Sequence, residues 1–104
     1  MYLPIAVKAQ PQITAAIAHV MKEMTPAVQR INYEVAQDWA GDWAIFFNVL
    51  LSDEASERDR LREVAPRILR LISHDLDIPS HGMLPHIHFR SQSEQAELND
   101  PAWA

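Results

Sequence analysis

Apolar positions along this chain switch their spacing repeatedly, and each switch marks the border of an element. Between Pro11 and Met24, the residues Ile13, Ala16, Ile17, Val20 and Met24 recur at helical intervals, which gathers them on one face of a helix. Pro11 suits a first helical position, where its missing N–H would be unbonded anyway. Thr25-Pro26 closes the run, because the residue before a proline avoids helical backbone angles. The stretch VQRINYEVAQD, beginning at Val28, alternates instead: Ile31, Tyr33 and Val35 point one way, and Arg30, Asn32 and Glu34 the other. That period of two predicts a half-buried strand. WAIFFNVLL, Trp43 to Leu51, is an almost unbroken apolar run. It predicts a strand with neighbours on both sides and little solvent on either face.

Between these strands lies DWAGDWA. Asp38 is a favoured first residue of a type I turn, with Trp39 and Ala40 central and Gly41 in the left-handed position of the accompanying bulge. Asp38 and Asp42 also invite a reading as paired carboxylates beside aromatic platforms. The hairpin is the simpler account, since it gives Gly41 a backbone role that few other residues can fill.

A second helix is expected from near Ser52-Asp53-Glu54, whose acidic residues suit the positive end of a helix. Leu61, Val64, Ala65, Ile68, Leu71, Ile72 and Leu76 form its apolar stripe. Pro66 falls inside that stripe and removes one backbone hydrogen bond, so a kink or two helices nearly in line are expected there. In LPHIHFR, Leu84, His86, His88 and Arg90 share one face, and Pro85, Ile87 and Phe89 the other. Pro85 confines this strand to an edge, or itself to the strand's beginning. Ser91-Gln92-Ser93-Glu94 has the form of a capping box for a short final helix reaching Leu98, stopped by Asn99-Asp100-Pro101.

The resulting fold class is α+β: a two-layer sandwich over residues 1–104, with an antiparallel or mixed sheet, two helices on one face and a short C-terminal helix. If Tyr2 to Val7 adds a first strand, the order becomes βαββαβ, a ferredoxin-like sandwich. Pro4 weighs against that strand, and without it the order is a truncated αββαβ. In element order alone, the shorter version resembles the small cytosolic domains of cation-diffusion transporters and metallochaperone-type folds, although the metallochaperone thiols are absent.

Composition narrows the function classes. Hydrophobic residues make up 48% and charged residues 22%, an ordinary globular balance. The lack of cysteine removes disulfides, thiolate nucleophiles and zinc–thiolate sites together. A net charge of −5 with only two lysines argues against nucleic-acid binding that depends on neutralising phosphates. No apolar run approaches the roughly 20 residues that span a bilayer, and the apolar opening is too short for a signal peptide. A cytoplasmic protein with no membrane association is expected.

Candidate chemistry concentrates in HDLDIPSHGMLPHIHFRS, residues 74–91, which holds four of the chain's five histidines. His86 and His88 leave the same strand face with Cβ atoms roughly 6–7 Å apart. With His81 as a third ligand, and His74 or Asp75 as a fourth, they form a candidate zinc- or nickel-type site. The plainer reading is that strand histidines facing solvent need no ligand. Where the strand passes into the last helix, Arg90, Ser91 and Ser93 form a candidate anion site, against the alternative that the serines are caps. Trp39, Trp43, Phe46 and Trp103 are large rings that a sheet covered on one face leaves available as a contact surface. No G-x-S-x-G or H-E-x-x-H motif is present.

These observations point to a small homodimeric interaction or regulatory module without catalytic activity, with a further protein partner in reach. No cofactor is expected. Two alternatives compete: a divalent-metal-binding domain on His81, His86 and His88, and a small dimeric α+β-barrel-like enzyme or ligand binder using His86 or His88 as acid–base.

Overall fold

A computed structural model, which describes residues 3–76 and 82–103, holds three helices and three strands among them. They are α1 (Leu3–Met24), β1 (Val28–Gln37), β2 (Trp43–Leu51), α2 (Arg58–Asp75), β3 (Leu84–Ser91) and α3 (Gln92–Leu98), followed by a 3-10 turn at Pro101–Trp103. The sheet order is β1-β2-β3. β1 and β2 form an antiparallel hairpin, and β3 runs parallel to β2, so α2 serves as the crossover that a parallel return requires. The result is an α+β protein with a mixed sheet.

The ferredoxin-like order βαββαβ is not met. Residues 3–7, expected as a possible first strand, open α1 instead. Pro4 is compatible with both states, since the first turn of a helix tolerates a residue without an N–H. Pro11, expected at the helix start, therefore sits within α1. The apolar stripe behaves as its spacing predicts: Ile13, Ala16, Val20 and Met24 are buried.

α2 begins at Arg58 rather than near Ser52. Asp53 to Ser56 form turns ahead of it, with the Ser52 side chain accepting from the Ala55 N–H at 3.2 Å. The helix passes through Pro66 as a single span. Pro66 lies on the exposed side, where water can satisfy the carbonyl that its missing N–H leaves unbonded. Val64, Ile68 and Ile72 of the stripe are buried.

Registers assign the two faces of the sheet. Tyr33 stands opposite Phe47 and Phe47 beside Ile87; Ile31 stands opposite Val49 and Val49 beside Phe89. Apart from Tyr33, which stays exposed, these residues, with Ile45 and Leu51, turn toward α1 and α2 and share one core with the helix stripes. Phe47, Ile13, Ile45, Leu51 and Ile68 are fully enclosed there. Both long helices thus lie on one face, and the core has a single layer of sheet beneath it. Trp43 belongs to this helix side, packed against the core.

Candidate functional site

The opposite face carries Arg30, Asn32 and Glu34 on β1, Ala44, Phe46, Asn48 and Leu50 on β2, and Leu84, His86, His88 and Arg90 on β3. Neither α1 nor α2 packs on it, and the sequence treats its two ends differently.

At the end near Leu50, the chain covers itself. The 3-10 turn folds back over the sheet, and Trp103 is only 6% exposed. Arg90 lies over the indole at 4.4 Å from the ring centroid, a cation–π contact. The same guanidinium donates to Gln95 Oε1 at 2.9 Å and to Asp100 Oδ2 at 3.4 Å. Backbone carbonyls of the turn are held from below: Ala102 accepts from Asn32 at 3.4 Å and Asn48 at 3.3 Å, and Trp103 accepts from Arg30 at 3.4 Å. Leu50, on the same face, is buried too. Trp103, expected on a contact surface for a partner, is therefore spent on the protein's own sheet.

At the other end, the hairpin turn builds an aromatic cluster. The turn forms as its residues predict. Gly41 has φ +84°, its N–H donates to the Asp38 carbonyl at 3.0 Å, and the Asp38 N–H donates to the Asp42 carbonyl at 2.9 Å. Asp38 Oδ1 accepts from the N–H groups of Ala40 and Asp42 at 2.9 and 3.0 Å, an Asx arrangement. The paired-carboxylate reading of Asp38 and Asp42 thus gives way to one carboxylate that organises a turn. Its second oxygen lies 3.9 Å from His86 Nε2, with the Asp38 side chain only 4% exposed.

His86 stacks on Phe46, with centroids 4.9 Å apart and planes at 13°, and tilts against Trp39 at 5.6 Å. His88 meets Phe46 edge-on at 6.5 Å. The His86 Nε2 atom is buried without a hydrogen-bond partner among the described residues; its distance to Asp38 is too long for a hydrogen bond. Trp39 is 87% exposed and Leu84, beside Ala44 on this face, 48%. The cluster is a ring-lined surface over a buried carboxylate and the buried Nε2 of a half-buried imidazole.

The sequence-derived metal residues are only partly described. His81 lies outside the described residues, as does the side chain of Asp75. His86 and His88 share a face, but His86 turns its Nε2 toward Asp38. His74 stands on α2 against His19 of α1, ring centroids 5.9 Å apart. Among the described residues no group of three His, Cys, Asp or Glu is placed to hold a metal ion.

The anion candidates are engaged by the protein's own groups. Ser91 caps α3, accepting from the Glu94 N–H at 3.1 Å, while Glu94 accepts from the Ser91 N–H at 3.0 Å. The Ser93 N–H donates to Asp53 Oδ1 at 2.9 Å and its hydroxyl to Asp53 Oδ2. Asp53 thus fills the place an anion would take. The Ser93 hydroxyl and N–H hold the Asp53 carboxyl below its ordinary range, and the Ser91 N–H and hydroxyl do the same for Glu94. The capping-box spacing announced the Glu94 half of this arrangement. Nothing local announced Asp53, which is far from Ser93 in sequence and suits an α2 start equally well.

No family model matches the chain, and no curated protein matches it either. No helix among the described residues is long and apolar enough to cross a membrane.

Proposed function

We propose that this chain is a homodimeric interaction module without catalytic activity, and that the Trp39–Phe46–His86 cluster is the surface it offers to other proteins. The observation that carries this reading is the exposure of Trp39 at the one end of the sheet that the C-terminal turn leaves uncovered. An open indole beside other apolar groups is the composition of an interaction hot spot. Tryptophan held in place by a rigid hairpin loses little conformational freedom on binding.

His86 supports the same reading. An imidazole that serves a substrate needs a ring nitrogen within reach of the reacting group. Here Nε2 faces a buried carboxylate under two aromatic rings, which suits a contact joining the hairpin to β3. Self-association fits a small domain of this kind, since two-fold symmetric pairs are the commonest oligomers.

Sedimentation velocity across the micromolar range tests the dimer. A concentration-dependent shift from monomer to dimer is expected. A single monomeric species at every concentration would remove the homodimer from this reading.

A further inference from the structure

We infer that two copies of this chain join antiparallel along β1, centred on Asn32, so that two three-stranded sheets become one. This rests on the homodimer reading above and names the surface that makes it.

The sheet has two outer strands, β1 and β3, and they differ in what guards them. β3 carries Pro85 near its start and turns directly into α3 at its end. A proline cannot donate to a neighbouring strand, so this edge is poorly suited to pairing. β1 contains no proline over Val28–Gln37, and its irregularity lies at one end, between Val28 and Arg30. Gln29, Arg30, Tyr33 and Glu34 are exposed. Tyr33 is on the helix side yet 38% exposed, so the helix layer leaves the middle of this edge open.

The order of residues on β1 is self-complementary about Asn32. In a two-fold antiparallel pairing centred there, Asn32 faces its own counterpart. Arg30 then stands opposite Glu34 of the second copy, and Ile31 opposite Tyr33, each pair occurring twice. Opposite charges and aromatic–β-branched pairs directly across a ladder are both favourable. Moving the centre by one residue loses the charge match: about Ile31, Arg30 meets Asn32, and about Tyr33 it meets Ala36. Arg30 already donates from Nη1 to the Trp103 carbonyl, and a guanidinium has further donors for a carboxylate.

A charge swap tests this register. Arg30→Glu or Glu34→Arg alone sets like charges opposite each other at two symmetric places, and dimer Kd is expected to weaken roughly tenfold or more. The double variant R30E/E34R restores opposed pairs and is expected to recover most of the affinity. Glu34→Arg removes no hydrogen bond to the C-terminal turn, so it separates pairing from folding; circular dichroism checks each variant.

Because the chain has no cysteine, Asn32→Cys gives a second, independent readout. Facing residues of an antiparallel pair have Cα atoms about 4.5–5.5 Å apart, within disulfide range. Mild oxidation should link Asn32→Cys copies and leave Gln37→Cys copies single.

A wild-type dimer that both charge reversals leave intact, or that Trp39→Ala alone dissolves, overturns the edge pairing while the homodimer stands. Single variants that dissociate without recovery in the double variant overturn the register centred on Asn32. A monomeric wild type overturns the pairing together with the homodimer.

Discussion

Replacing Trp103 by alanine puts the self-covered half of the sheet to a quantitative test. The indole is 6% exposed, with Arg90 stacked on it. Buried Trp-to-Ala changes cost about 3–5 kcal/mol. A turn this close to the C-terminus recovers some chain entropy on release, which argues for the lower end, about 3 kcal/mol. Loss of the Arg90 contact adds roughly 0.5–1 kcal/mol. Domains near this size have total stabilities of about 5–15 kcal/mol, so the variant is expected to fold with a much smaller margin. At roughly 4–8 °C per kcal/mol, a combined loss of about 3.5–4 kcal/mol should lower Tm by about 14–32 °C. Urea unfolding followed by circular dichroism gives the free energy directly. Trp39→Ala is the control. At 87% exposure its loss should stay within about 0.5 kcal/mol. A Trp103→Ala loss under about 1 kcal/mol, or equal losses for the two tryptophans, would refute the claim that the tail is part of the fold.

Two further outcomes follow from the local geometry. The Asp53 carboxyl, bonded to the Ser93 hydroxyl and N–H, titrates below its ordinary value of 3.8. A carboxyl whose folded value is depressed stabilises the fold above its unfolded value and loses that contribution as pH falls through the folded one. The contact between the β2–α2 turn and α3 should therefore weaken only in acid. A carboxyl-carbon NMR titration of Asp53 should show a midpoint below 3.8 that Ser93→Ala raises; a midpoint unmoved by that change contradicts the contact. At Gly41, φ is +84° and a Cβ would meet nothing within 4 Å. The cost of Gly41→Ala is then backbone strain alone, about 1–2 kcal/mol, and Gly41→Asn should cost less. Equal urea midpoints for the wild type and Gly41→Ala would contradict the left-handed turn.

What the sequence made legible was local. β2 occupies the span its apolar run marks, because turn residues bound it on both sides and a central strand needs no alternation. The hairpin followed from Asp38 and Gly41, and α3 from the capping box. Elsewhere the local signal was ambiguous. Pro4 is as acceptable in a first helical turn as it is awkward in a strand, so the fate of residues 3–7 depended on packing. The destination of Trp103 depends on contacts with Arg30, 73 residues away, and Asp53 meets Ser93 across 40. No spacing rule encodes such pairings. The histidine-rich stretch shows both limits at once. The shared face of His86 and His88 was readable from strand period, whereas the turn of His86 toward Asp38 arises only when β1, β2 and β3 lie side by side.

The way each border of the sheet is closed constrains what a dimer can present. α1 and α2 take one face, the C-terminal turn takes half of the other, and Pro85 with α3 guards one edge. Joining along β1 consumes the remaining edge without touching Trp39, because Trp39 lies in the hairpin turn beyond the end of the strand. Two-fold symmetry about an axis through Asn32 keeps both helix layers on one side of the combined sheet and both aromatic clusters on the other. A partner carrying two copies of a binding segment then meets two sites on the same surface. The second contact becomes intramolecular, with an effective concentration set by the spacing of the clusters, and avidity rises without any new contact chemistry. In a dimer of this kind the edge would set valency and the cluster recognition, so an edge variant should keep the affinity of one site and lose the gain from two.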